Sequence, residues 1–211
     1  MAKQVRTSFE AGFLPEKITI NKGHLRPQTG SDLYGWALAS YGDSSNSYDT
    51  QAELEVDLGS DKNEIFVYFE FCGVGAVSGN SLPTDNKPIL PSTIFEFGNF
   101  KLAIENNGTK DELVVYDGTT EKDRSDFIVN NAIKDKWYKC NLKIIGNNST
   151  SSAKSFIRIE DMDLFNPIFE KLYDFSFDIT SNTIMLKGNR GSRFSGIDNV
   201  GVNDLSGSSD N

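Results

Sequence analysis

The chain holds one histidine, His24, two cysteines and two tryptophans in 211 residues, and it is short of positive charge, with 21 Lys and Arg against 30 Asp and Glu for a net charge of −9. Each shortage excludes something. A Ser/His/Asp or Cys/His nucleophile system would have to use His24, which stands in Lys22-Gly-His-Leu-Arg26 with no motif around any serine or cysteine. His24 is therefore read as a surface residue. One histidine and two scattered cysteines also serve zinc catalysis poorly. Cys72 and Cys140 are too few for a disulfide framework, and both sit in strand-like sequence, so reduced core cysteines are expected. The acidic balance opposes the phosphate contacts on which nucleic-acid binding depends, and no Lys/Arg cluster offsets it. No nucleic acid is expected as a partner.

Long apolar runs are missing as well. No stretch approaches the length of a membrane span, and the start, Met1–Thr7, leads into polar sequence without the apolar core of a secretory signal. No membrane partner is expected, and the product is expected to be made in a cytoplasm. Gly188-Asn-Arg-Gly191 lacks the strand-to-helix context of a phosphate-binding loop. The sequons at Asn107, Asn147 and Asn148 lie in turn-like sequence, where Asn, Gly and Ser are at home without glycosylation.

What the chain has is aromatic bulk and a period of two. Fifteen Phe and seven Tyr supply buried area that a hydrophobic content of 37% would otherwise leave thin. Ala52–Leu58 alternates Leu54, Val56 and Leu58 with Glu53, Glu55 and Asp57, the pattern of a half-buried strand. Glu64–Cys72 is apolar at almost every position and predicts a central strand covered on both faces. Ile94–Glu105 changes phase at Gly98, which suggests a bulge near Gly98-Asn99. Asn107-Gly108 predicts a tight turn joining Lys101–Asn106 to Glu112–Tyr116 in a hairpin.

Trp137–Ile145 sends Tyr138, Cys140, Leu142 and Ile144 inward and leaves Trp137 for the opposite face. Phe156–Ile159, Phe175–Ile179, Thr183–Lys187 and Ile197–Val202 read as further strands, and Leu164–Tyr173 as a helical turn or short helix limited by Pro167. Ser40–Thr50 and Gly73–Ser92 are long loops of the kind that carry function or pack against a partner. One domain over 1–205 with a flexible tail over 206–211 is expected.

Three segments carry a family resemblance: Phe9-Glu-Ala-Gly12, Lys136-Trp-Tyr-Lys-Cys-Asn-Leu-Lys143 and Ile197-Asp-Asn-Val-Gly-Val202. They resemble the opening, middle and closing strands of the concanavalin A-like lectin/glucanase jelly rolls, including the laminin-G-like domains. The implied fold is all-β: an antiparallel two-sheet jelly-roll sandwich. Galactose-binding-like jelly rolls share the first and last of these segments but are usually shorter, so length favours the concanavalin A-like form.

The resemblance brings candidate sites. Jelly rolls of these types often bind structural calcium where the first and last strands meet, and Glu10 and Asp198 occupy the matching positions. Asp43, Asn46 and Asp49 form a second acidic cluster, equally well explained as turn chemistry. Glycan binding needs aromatic faces, and Trp36, Tyr41 and Tyr48, with Tyr34 close by, flank the first long loop; a core role for Trp36 is the simpler reading.

Glu53, Glu55 and Asp57 would share one strand face, and glycanases of this fold place acids at alternating strand positions. Their order is Glu-x-Asp followed by Glu, whereas here the last two acids are exchanged, so a charged solvent face is expected instead. The expected function is non-catalytic. It is that of a bacteriophage virion component, a capsid decoration or a tail or fibre appendage, meeting other virion proteins or its own copies and a cell-surface glycan. The alternative is a carbohydrate-binding module of a larger, extracellular, polysaccharide-active protein.

Overall fold

The computed structural model describes residues 4–7, 16–27, 36–41, 51–74, 92–106, 111–125, 137–145, 153–162, 166–175, 179–189 and 194–204. Among these residues every regular element is a strand: β1 (Gln4–Thr7), β2 (Ile18–Lys22), β3 (His24–Pro27), β4 (Trp36–Tyr41), β5 (Glu53–Lys62), β6 (Glu64–Val74), β7 (Ser92–Phe97), β8 (Phe100–Asn106), β9 (Asp111–Asp117), β10 (Thr120–Arg124), β11 (Trp137–Ile145), β12 (Ala153–Asp161), β13 (Asn166–Phe175), β14 (Ser181–Lys187) and β15 (Phe194–Asp204). They form two antiparallel sheets. One has eight strands in the order β13-β12-β11-β6-β15-β4-β3, with β1 also paired to β15; the other has seven, β10-β9-β8-β7-β14-β5-β2. This is a two-sheet jelly-roll sandwich.

Alternation sets which face meets the core. On β5, Leu54, Val56 and Leu58 are buried while Glu53, Glu55 and Asp57 face outward. On β11 the inward residues are Tyr138, Cys140, Leu142 and Ile144, as their spacing predicts. Aromatic rings join the layers. Phe71 lies 5.8 Å from Tyr138 and 5.7 Å from Phe69, Phe69 of β6 stacks 6.5 Å from Phe95 of β7, and Phe95 meets Phe100 at 5.8 Å. All five are fully buried.

The two sheets are also tied at a shared edge. Lys171 of β13 donates to Asp123 of β10 and lies 4.9 Å from the centre of the Tyr173 ring. At one end of the sandwich, β4 leads to β5, β6 to β7 and β14 to β15. The buried Gln51 amide fastens the roots of these three connections, donating to Ser92 Oγ (3.3 Å), the Thr93 carbonyl (2.7 Å) and the Gly188 carbonyl (2.9 Å). Ser195 Oγ accepts from the Ala52 amide at 3.0 Å.

Three sequence expectations need correction. The phase change at Gly98 is a hairpin turn, with Phe97 paired to Phe100 and Gly98 at φ 56°, where a Cβ would sit 2.6 Å from the Thr180 carbonyl oxygen. The segment read as a short helix is the edge strand β13, held by pairing with β12 from Ala153↔Phe175 to Asp161↔Asn166. Phe175 ends that strand and Ile179 is a core residue outside any strand, while the residues between them lie outside the described ones. Strand β6 is central, yet its outer-face residues Phe66 and Tyr68 are only half-buried.

Neither cysteine is in a disulfide, and both are buried on opposite faces: Cys140 pairs with Phe69 in the core, Cys72 with Trp137 on the outer face. Burial pushes the Cys140 thiol well above its usual range. The Phe9–Gly12 motif, the Asn107-Gly108 turn, most of the two long loops and the tail lie outside the described residues.

Because Phe69 joins both layers, Phe69→Ala should lower unfolding stability by about 3–5 kcal/mol. A urea denaturation curve displaced by less than about 1 kcal/mol would show that the rings are not the link between the sheets.

Candidate functional site

Both sheets turn a polar face outward, and the two faces treat their charges differently. On the seven-stranded sheet, Glu53, Glu55 and Asp57 lie opposite Lys187, Met185 and Thr183 of β14. They share one face, as the alternation predicts. Asp57 Oδ1 accepts the Gly59 amide at 2.7 Å, a local turn bond, and Lys187 turns to Glu96 of β7 at 2.9 Å.

Farther along this face Arg124 is enclosed by acids. It reaches Glu112 at 2.9 Å, Glu105 at 2.8 Å and Glu121 at 2.6 Å, and Tyr116 donates to Glu105. Its hydrogen bond to Glu121, followed by those to Glu105 and Glu112, holds the guanidinium firmly charged. Burial, then the hydrogen bond to Glu105 and the nearby acids, pushes the Tyr116 phenol up to about 12.

The outer face of the eight-stranded sheet carries a recess of about 290 Å³ lined by Glu70, Lys139, Glu160, Asp161 and Met162. Register builds it: Lys139 of β11 lies opposite Glu70 of β6 on one side and Glu160 of β12 on the other, and Asp198 of β15 lies opposite Glu70. Immediately after Asp198 the β15 ladder shifts register, and Asn199 takes a left-handed φ of 46°. That geometry lets the Asn199 side chain donate to Glu70 Oε2 at 2.7 Å, while its backbone amide donates to Asp198 Oδ1 at 2.7 Å. Glu160 is held by Arg158 at 2.6 Å. Glu70 is 6% exposed, and burial pushes its carboxyl above the usual range against the opposing pull of Asn199 and Lys139.

The sequence candidates fall as follows. Asp198 is buried at the β15–β6 junction, and β1 pairs with β15, so the first described strand does lie beside the last. Glu10, Tyr48, Tyr34 and the Asp43/Asn46/Asp49 cluster are outside the described residues. Trp36 and Tyr41 are the two ends of β4, five residue steps or roughly 17 Å apart. His24 is exposed on edge strand β3, opposite Ala39. Among the described residues no group of three His, Cys, Asp or Glu could hold a metal, so they do not complete a calcium shell of six to eight oxygens.

No protein-family model matches the chain, and no curated protein matches its sequence. Solved structures match its shape. The exoplasmic/lumenal domain of VIP36 in its Ca2+/Man-bound form aligns with a TM-score of 0.55 and 7% identity, over 100% of this chain and 94% of that one. The lectin UEA-II complexed with galactose aligns with a TM-score of 0.52 and 6% identity, over 96% and 98%. The fold is that of the concanavalin A-like lectins. A conserved carbohydrate esterase of Shiga toxin-encoding bacteriophage phi24B has a TM-score of 0.53 and 11% identity, over 98% and 100%. At such identities the concanavalin A-like likeness is one of fold.

Glu70 was absent from the sequence candidates. A lone acid inside the apolar run Ile65–Phe71 is the signal that marks it. Its folded pKa lies above the ordinary 4.5, so its contribution to stability falls as pH rises from about 4.5 through the folded value. Glu70→Gln, which removes that buried charge, should therefore unfold at a higher temperature than the parent at neutral pH. The gap should close on acidification; a gap of constant size across that range would mean that charge burial is not the cause.

Proposed function

We propose that this protein is a non-catalytic adhesion protein that binds glycan and works by surface contact as a component of a bacteriophage particle. The observation that carries the reading is the end-to-end match of one sandwich to lectin structures holding sugar and to a phage-encoded protein that acts on carbohydrate. The charge arrangement supports the non-catalytic part. Arg124 compensates Glu105, Glu112 and Glu121, Asp57 is engaged in a turn, and the single histidine is exposed on an edge strand. Partners in this reading are other virion proteins, further copies of the chain and a cell-surface glycan. Tyr41 and Tyr48 belong to the connection that Gln51 roots and are candidates for contact with that glycan.

Two measurements test this reading. A glycan array probed with the full chain should return a defined set of ligands, and antibody to the protein should label material banding at phage density. An empty array would remove the glycan half, and antigen confined to the soluble fraction would remove the particle half.

Calcium enters the proposal as a structural ion at Asp198, completed by Glu10. Calcium should then raise the melting temperature and chelator lower it, with Asp198→Asn abolishing the difference. An equal melting temperature with and without chelator would remove the ion.

A further inference from the structure

The recess on the outer face of the eight-stranded sheet contains a carboxylate in an unusual position. Glu70 is more than nine-tenths buried, and one of its oxygens is fixed by Asn199 at 2.7 Å. Its other oxygen has no hydrogen-bond partner among the described residues, and Glu70 lines the recess. That oxygen opens to the recess, where it can accept a donor from solvent or from a ligand. The partner that orients Glu70 is a neutral amide, so the carboxylate keeps its hydrogen-bonding strength toward a hydroxyl.

We propose that this recess is a sugar-binding subsite that takes the hydroxyls of one pyranose residue of an uncharged glycan. The proposal rests on the glycan-binding reading and gives it a location. Acceptors from Glu70 and from Glu160, whose bonds to Arg158 use one oxygen, stand within one recess with a donor from Lys139, and adjacent sugar hydroxyls need that combination because each is both donor and acceptor. Rings flank the same face: Trp137 precedes Lys139 by two residues on β11, and the Tyr68 ring, two residues before Glu70 on β6, lies 6.0 Å from Lys139 Nζ. The volume of about 290 Å³ is at the small end for ligand pockets and suits a single ring residue. Glu70 and Glu160 stand beside Lys139 with Asp161 in the lining, and Arg158 offsets Glu160, so the recess carries more negative than positive charge and disfavours uronic and other acidic sugars.

The test is an amide NMR titration of the full labelled chain with methyl α-mannopyranoside, methyl α-glucopyranoside and methyl β-galactopyranoside, with sodium glucuronate as the anionic comparison. At least one neutral glycoside should bind with a roughly millimolar dissociation constant and shift the amides of Tyr68, Glu70, Lys139, Met162 and Asn199, whereas glucuronate should not. Glu70→Gln should weaken that binding by about tenfold or more while the chain stays folded. Asn199→Gly accepts the left-handed backbone but removes the orienting amide, and should weaken it likewise. Lys143→Gln, on the same face but outside the recess, should leave the affinity unchanged.

Unchanged affinity in Glu70→Gln would overturn direct recognition by the carboxylate. Methylamine shifting the recess amides while no glycoside does would overturn the sugar assignment. A glycan that binds the chain but shifts only amides elsewhere would overturn this site and leave the glycan-binding reading standing. Failure of every glycan and glycoside to bind would overturn both.

Discussion

The contact between Phe69 and Phe95 is the constraint on which the rest of the molecule depends. Neither sheet can bury its own inner face, and the rings Tyr138, Phe71, Phe69, Phe95 and Phe100 form a continuous path from one layer to the other. Full burial of each such ring contributes on the order of 2–3 kcal/mol, offset by the entropy of ordering the strands. Because side chains alternate across a strand, fixing Phe69 and Phe71 inward fixes Tyr68 and Glu70 outward. A one-residue slip of β6 would put the acid into the core. The same packing that closes the sandwich therefore decides what the eight-stranded sheet presents to a ligand.

The strands were legible because period two survives in the sequence wherever one face is wet. Leu54, Val56 and Leu58 on β5, and Tyr138, Cys140, Leu142 and Ile144 on β11, are buried where alternation puts them. The misreadings have physical causes. A bulge and a two-residue hairpin turn both shift the phase of an apolar pattern by one, so Gly98-Asn99 could not be told apart from the local sequence; the pairing of Phe97 with Phe100 decides it. Leu164, Ile168 and Leu172 recur every four residues, as on a helix, but β12 offers a free edge and backbone pairing outweighs a short segment's helical preference.

The candidate site was less legible than the fold, because its parts are brought together by register. Asn199 and Glu70 are 129 residues apart in sequence, and no local motif joins them. Asp198 was readable from the closing strand, yet its observed bond is to the neighbouring Asn199 amide, which turns the next side chain toward Glu70. The left-handed Asn199 is the local device: asparagine tolerates that conformation better than other side chains and also carries the amide that Glu70 needs. In the sequence, Asp198-Asn199 reads as an unremarkable polar pair.

The two outer faces show why carboxylates alone do not make a binding surface. Around Arg124, three acids converge on one guanidinium while Tyr116 donates to one of them, Glu105, and these bonds leave little acceptor capacity for a ligand to displace. Any hydroxyl entering there must first break a bond between full charges. At Glu70 the partner is an uncharged amide, one oxygen is occupied, and the other opens where Lys139 can offer a donor beside it. A ligand there replaces water and breaks no ion pair of Glu70. The smaller charge cluster is thus the better recognition site, and the larger one is a structural clasp for β8, β9 and β10.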